Sequence, residues 1–230
     1  MTTLTNSRAK RYMPTLVVPS AARRSALDLA SKRVIDIVLA TVGVIILTPL
    51  WLVVALLIRI SDRGPAFFKQ TRVGKNGQTF TMYKFRTMRV DAEQVKASLE
   101  AANRADVGAG NSVMFKMRDD PRVTRVGRVL RKTSIDELPQ LFNVIKGDMS
   151  LVGPRPPLPS EVATYEPHVM GKFSVRPGIT GLWQISGRSN LSWEETVQLD
   201  LDYAATRTLG LDTWILLQTV PALLRQEGAY

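Results

Sequence analysis

Between Val34 and Ile58 the chain is almost unbroken hydrocarbon, and both ends of the run carry positive charge. Lys32 and Arg33 precede it; Arg59 and Arg63 follow, with Lys69, Arg72 and Lys75 close behind. About 25 residues at about 1.5 Å each match a hydrocarbon core about 30 Å thick. A single spanning helix is one reading, and proline is tolerated inside such a helix. The flanks favour another. Basic residues beside a membrane segment prefer the cytoplasmic side, so a segment that is basic at both ends is expected to enter the bilayer and return. Thr48-Pro49 lies in the middle of the run. Proline removes a backbone donor and pushes the preceding residue out of helical geometry, so the turn of a re-entrant hairpin is expected there. Asp36 belongs at the membrane interface in either reading, because a carboxylate is costly at the bilayer centre.

The chain has 230 residues and a formal net charge of +11. That length suits one domain of moderate size plus an attachment device. Seven basic residues (Arg8, Lys10, Arg11, Arg23, Arg24, Lys32 and Arg33) stand against Asp28 alone before the apolar run, which places six of the eleven charges there. Residues 1–26 lack apolar periodicity and read as a disordered basic arm lying on anionic lipid. Beside a membrane segment this reading outweighs nucleic-acid binding, and no nucleic-acid partner is expected. Cysteine is absent, which excludes disulfides, thiolate metal sites and Cys nucleophiles. The only histidine is His168, read as a surface or packing residue. The apolar run is too long and starts too late for a secretory signal.

The expected organisation is α+β: a membrane hairpin over 27–60, then a compact cytosolic domain of helices with a short β-hairpin over 61–230. Ala66–Val73 and Gln78–Met88 are rich in Phe, Thr, Tyr and Val, and Gly74-Lys75-Asn76-Gly77 supplies the turn between them. Residues 91–104 have helix formers, and Gly108 to Asn111 reads as a flexible break. Arg122 to Lys132 is basic and mixed in pattern. Ser134 to Ile145 reads as a helix, Gly147–Pro159 and Arg176–Ser189 as loops, and about 192–207 and 212–225 as two closing helices. Ser192-x-x-Glu195 is a capping box.

The densest group of reactive side chains runs from Arg118 to Arg155. Asp136 and Glu137 follow Arg125, Arg128, Arg131 and Lys132. Carboxylates beside cations neutralise one another, or they mark a place where an anionic substrate, Mg²⁺ and a carboxylate meet. A carboxylate can attack phosphorus to give an acyl phosphate, with cations stabilising the phosphoryl oxygens. Ser134-x-x-Glu137 is also a capping box, and acids favour a first helical turn; the two readings are compatible, since helix N-termini bind phosphate. Arg155, between Pro154 and Pro156, is either a solvated turn residue or a preorganised phosphate clamp. Lys84, in Tyr83-Lys84-Phe85-Arg86, is either an exposed strand lysine or a site residue. Trp183, Trp193 and Trp214 suit core packing or the membrane interface.

Taken in order, these segments resemble the bacterial sugar transferase family, the monotopic phosphoglycosyl transferases that act on polyprenyl phosphate. The resemblance rests on Lys32-Arg33-x-x-Asp36, Gly64-Pro65-x-Phe67-Phe68-Lys69-Gln70-x-Arg72-Val73-Gly74 and Met82-Tyr83-Lys84-Phe85-Arg86-Thr87-Met88. It continues through Ser134–Val144, Gly147–Pro156 and Val175–Gln184, and covers roughly residues 30–225.

The resemblance implies a re-entrant anchor broken at a Ser-Pro pair, matched here by Thr48-Pro49. It implies that Asp136 is a nucleophile taking sugar 1-phosphate from a UDP-sugar and releasing UMP. Polyprenyl (undecaprenyl) phosphate then attacks the covalent aspartyl intermediate. Mg²⁺ is implied beside the dyad, with Asp136 as a ligand and Glu137 assisting the metal or a proton. Arg155, and by position Lys84 and Arg131, are implied to hold phosphate. The implied location is the cytoplasmic face of the bacterial inner membrane, and the implied process is the first step of exopolysaccharide, capsule or O-antigen assembly. By analogy UDP-glucose or UDP-galactose is the expected donor. The short arm reads as the minimal catalytic form of the family, and the chain permits a homodimer without compelling one. A non-catalytic assembly subunit would be free to lose Asp136, Glu137, Lys84 and Arg155, and all four are present.

Overall fold

A computed structural model describes residues 26–92, 120–187 and 191–225. All but the last residue of the basic arm expected over 1–26, all but the first two residues of the helix expected over 91–104, the break at Gly108 to Asn111 and the last residues of the loop expected over 176–189 lie outside these segments.

Helix α1 runs from Ala26 to Asp62 with Pro49 inside it. The chain does not divide into two helices at Thr48-Pro49. Pro49 has no N–H for the preceding turn, but the Thr48 hydroxyl donates back to the Val44 carbonyl at 2.7 Å. Hydroxyl back-bonding of this kind lets an apolar helix carry a proline. One stripe of α1, formed by Ala40, Trp51, Val54 and Ile58, is buried against Met82, Phe85, Leu130, Leu141, Val144 and Met149. Ile45, Ile46, Leu52, Val53, Leu56 and Ile60 stay exposed on the same helix. A mean hydropathy of 2.6 makes α1 long and apolar enough to cross a membrane.

Both ends of α1 are fastened to the rest of the fold. At its start, Lys32 pairs with Asp212 at 2.6 Å, Arg33 donates to the Ile145 carbonyl at 3.1 Å, and Asp36 accepts from the Leu151 N–H at 3.2 Å. At its end Asp62 meets Arg86 at 3.2 Å.

The expected hairpin forms. Strands β1 (Phe67–Val73) and β2 (Thr79–Phe85) pair antiparallel, with Phe68 opposite Lys84 and Arg72 opposite Phe80. Asn76 and Gly77 adopt positive φ of 57° and 74°, which an Asn-Gly turn accommodates. The mixed basic stretch is helix α2 (Arg125–Thr133), capped by the Thr124 hydroxyl, which accepts from the Gly127 N–H at 2.9 Å. Ile135–Gln140 is a 3-10 turn containing Pro139, and only Leu141–Lys146 (α3) is α-helical. The single helix expected over 134–145 is therefore split.

Segments expected to be loops hold a second, parallel sheet. Strand β3 (Ser150–Val152) pairs with β4 (Gly178–Thr180). Between them lie α4 (Pro159–Val162) and a 3-10 stretch, Pro167–Ser174. Helices α5 (Leu182–Ser186), α6 (Trp193–Thr206) and α7 (Leu209–Arg225) follow. Leu182, Leu199, Tyr203, Leu211 and Ile215 form a second core around Val152, with Trp183 and Trp214 packed on it. The Ser192–Glu195 box is reciprocal, at 3.1 and 2.9 Å.

Candidate active site

Asp136 is buried, with 8 % of its surface exposed, in the 3-10 turn that follows α2. The turn begins abruptly because Ser134 takes a left-handed conformation (φ 55°) and closes α2 through its own N–H. Ser134 offers no side-chain cap, so the expected Ser134-x-x-Glu137 capping box is not formed. Glu137 instead accepts from the Lys84 ammonium at 2.6 Å.

The cations come from two elements. Lys84 projects from β2. Arg131 lies on the last turn of α2 and donates from Nε to the Thr87 hydroxyl at 3.0 Å. That contact exists because α2 sits directly on the chain beyond β2: a Cβ on Gly127 would lie 2.0 Å from the Thr87 carbonyl oxygen. Asn143 ties α3 to the same ribbon, accepting from the Tyr83 N–H at 3.0 Å and donating to the Thr81 carbonyl at 2.6 Å.

Burial pushes the Asp136 carboxyl up to about 6, and the neighbouring Glu137 adds to the rise; Lys84 and Arg131 pull the other way. Burial also lowers Arg131, against the opposing fields of Asp136 and Asp120. A buried carboxylate flanked by two cations and a second carboxylate is poorly solvated yet ionisable near neutral pH, the condition a carboxylate nucleophile needs.

Arg155 is held rather than solvated. Its guanidinium donates to both Glu161 oxygens at 3.0 and 3.3 Å, and Glu161 also accepts from the Leu158 N–H at 2.7 Å. The Asp200 carboxylate takes the Arg155 backbone N–H and the Lys172 ammonium. Arg72 donates to the Pro156 carbonyl at 3.1 Å, and the Val73 N–H donates to the Pro157 carbonyl at 3.0 Å. The end of β1 thus holds the chain just after Arg155, at Pro156 and Pro157. Arg72 feels both Arg155 and Glu137, which links this loop to the dyad. Asp136, Glu137, Lys84 and Arg131 therefore form one cluster, and Arg155 lies on the Pro-Arg-Pro loop that Arg72 holds. Thr48 and Pro49 lie in α1 and take no part in it. His168 is exposed, 3.4 Å from Glu166.

Residues 27–226 match the sequence profile of the family described as bacterial sugar transferase. The chain belongs to that family. This sugar transferase is 48 % identical over 202 residues to the galactosyl transferase CpsE of Streptococcus agalactiae, covering 87 % of this chain and 44 % of CpsE. It is 44 % identical over 200 residues to the exopolysaccharide production protein ExoY of Sinorhizobium fredii, covering 87 % of this chain and 88 % of ExoY. It is 43 % identical over 217 residues to the UDP-glucose:undecaprenyl-phosphate glucose-1-phosphate transferase of Caulobacter vibrioides, covering 90 % of this chain and 74 % of that protein. The chain thus spans less than half of CpsE and most of ExoY.

Among the described residues of this sugar transferase no group of three or more Asp, Glu, His or Cys side chains converges. An all-protein metal cage is therefore not offered. Mg²⁺ commonly uses one or two carboxylates, keeps several waters and shares substrate phosphates. Asp136 and Glu137 fit that open type of site.

Sequence reasoning gave no site role to Glu161, Asp200, Arg72 or Thr87; the last three act on residues far away in the chain, and Glu161 acts on Arg155 six positions before it. The one local signal was Glu161, placed three residues after Leu158 at the start of α4.

Proposed function

We propose that this sugar transferase moves a hexose 1-phosphate from a UDP-sugar to undecaprenyl phosphate. The observation that carries the reading is the Asp136 carboxylate, buried yet ionisable, between Lys84, Arg131 and Glu137. In the first step an Asp136 oxygen attacks the phosphorus that bears the sugar. An O–P bond forms to Asp136, the bond to the nucleotide phosphate breaks, and UMP leaves with the electron pair. In the second step an oxygen of the acceptor phosphate attacks the same phosphorus and Asp136 leaves as carboxylate. Two displacements at one carboxylate let a water-soluble donor and a lipid acceptor bind in turn.

Lys84 and Arg131 offset the phosphoryl charge, and Glu137 orients Lys84. Mg²⁺, held by Asp136 and Glu137, would neutralise part of the donor's charge. The names of the relatives support the substrates: one is a UDP-glucose:undecaprenyl-phosphate glucose-1-phosphate transferase, and the Salmonella typhimurium relative is an undecaprenyl-phosphate galactose phosphotransferase. The name of ExoY supports exopolysaccharide production as the process.

The attachment of α1 supports a monotopic placement in one leaflet, with the site on the cytoplasmic face. A spanning helix carries its ends to opposite sides, about 30 Å apart. Here Lys32 and Asp36 at one end, and Asp62 at the other, bond to the same domain. The basic residues at both ends fit the cytoplasmic side.

The test is UMP release in nanodiscs with Mg²⁺, undecaprenyl phosphate and a panel of UDP-sugars, comparing wild type with Asp136→Asn. Acceptor-dependent release from one hexose donor, absent in the variant, is the expected result. Equal activity in the variant would remove Asp136 from the chemistry.

A further inference from the structure

Three other buried or half-buried cations each have a carboxylate. Lys84 has Glu137, Arg155 has Glu161, and Lys172 has Asp200. Arg72 is the exception. Only 9 % of it is exposed, and among the described residues it meets neutral acceptors alone. Its Nε and Nη2 donate to Gln70 Oε1 at 3.1 and 2.6 Å, and its Nη1 donates to the Pro156 carbonyl at 3.1 Å. A guanidinium has five N–H donors, so two remain beyond these three bonds. Burial, and then the charge of Arg155, push Arg72 down to about 10, while Glu161 and Glu137 act in the other direction. The carboxylates near Arg72 are thus engaged elsewhere, and a buried cation without its own counter-charge is costly. An anion arriving beside it would remove that cost.

We propose that Arg72 and Arg155 form a second phosphate subsite, which receives the phosphate of the departing nucleoside monophosphate. The inference rests on the transfer reading above and deepens it. When the phosphorus–oxygen bond to the leaving group breaks, its electron pair stays on the leaving oxygen. A phosphodiester monoanion becomes a phosphomonoester that is mostly dianionic at pH 7. The added charge forms on the leaving phosphate, away from the phosphorus that Asp136 attacks. Fixed cations aimed at developing charge favour the reaction more than they favour the substrate. In this reading Lys84 and Arg131, whose charges act on Asp136, serve the attacked group, and Arg72, bonded to the Pro156 carbonyl next to Arg155, serves the group that leaves. The two unspent N–H groups of Arg72 suit a phosphate oxygen, and the Arg155 guanidinium, held by Glu161, adds its charge beside them.

Gln70 gives a clean test, because Gln70→Glu places a carboxylate where an amide oxygen already touches Arg72 and so supplies the missing counter-charge. UMP and uridine binding are titrated calorimetrically on the full chain in nanodiscs, for wild type, Gln70→Glu and Gln70→Met. The expected result is UMP binding weakened by roughly tenfold or more in Gln70→Glu, with uridine binding and the unfolding midpoint unchanged or improved. Gln70→Met, which leaves the charge of Arg72 uncompensated, is expected to keep UMP affinity within about threefold of wild type. Equal UMP affinity in wild type and Gln70→Glu, or a matching loss for uridine, overturns the subsite, as does a wild type that binds no UMP. A wild type that binds UMP with this dependence on residue 70, yet releases UMP from no UDP-sugar, refutes the transfer reading and keeps the subsite.

Discussion

Replacing Asp136 by Asn removes a charge that the fold holds against its tendency to stay in water. The Asp136 carboxyl is raised from its ordinary 3.8 to about 6, chiefly by burial. A carboxyl raised in the folded state stabilises the fold fully only below its unfolded value, and that contribution is lost as pH climbs through the folded value. The whole displacement corresponds to about 3 kcal/mol. About 2 kcal/mol of it falls between pH 4.5 and 7.5 by the same linkage relation. Asparagine keeps the shape and does not titrate. The stability of Asp136→Asn relative to wild type should therefore grow by about 2 kcal/mol across that range, or roughly 4–8 °C in unfolding midpoint for a domain of this size. Thermal unfolding of both proteins in nanodiscs, followed by tryptophan fluorescence at the two pH values, reads the difference directly. In parallel the wild-type rate of UMP release should rise with pH to a plateau, with its midpoint near 6, because the nucleophile must be ionised. A stability gap that is the same at pH 4.5 and 7.5 would refute the claim that Asp136 is held at a cost in its charged form.

Lys84→Met removes a cation that lowers the Asp136 pKa; the acid limb of the rate should move to higher pH, and the plateau should fall by about 10²-fold or more. Gly127→Ala forces a Cβ to within 2.0 Å of the Thr87 carbonyl oxygen, so it should destabilise by about 1–3 kcal/mol and lower activity as well, since Thr87 holds Arg131; thermal unfolding and a rate assay check both. Asn143→Ala leaves the Tyr83 N–H and the Thr81 carbonyl without their partner and should cost about 2–4 kcal/mol, measurable as an earlier unfolding midpoint.

The hairpin was legible because its strands are rich in aromatic and β-branched residues and Gly74 to Gly77 punctuates them. Helices α6 and α7 were legible for a similar reason: one starts at a reciprocal capping box, and both have long apolar rows. Helix α2 was not, because four basic residues obscure a short apolar face that packs through Gly127 and Leu130. Pro139 is a local signal for the split that the single-helix reading did not use, whereas the left-handed conformation of Ser134 has no signal in the local pattern. Strands β3 and β4 are three residues each, too short for alternation to register. At the site, residue pattern singled out Asp136, Glu137, Arg155 and Lys84 as candidates, the resemblance supplied their roles and that of Arg131, and the structure brings Asp136, Glu137, Lys84 and Arg131 together. Their holders were hidden by distance in sequence: Arg72 reaches Pro156 across 84 positions, and Arg131 reaches Thr87 across 44.

Helix α1 contributes Ala40, Trp51, Val54 and Ile58 to the same core as Met82, Phe85 and Val144. It is a wall of the building rather than its mooring rope. Cutting the chain after Asp62 would not free a soluble enzyme; it would open that core to water and remove the partners of Asp212, Leu151 and Arg86. The same continuity fixes the height of Asp136 relative to the lipid. No flexible stalk intervenes in which insertions or deletions could accumulate harmlessly. Under the proposed placement and reaction, a change in the length or tilt of the apolar segment would reposition Asp136, so leaflet thickness and the chemistry of the site would be constrained together.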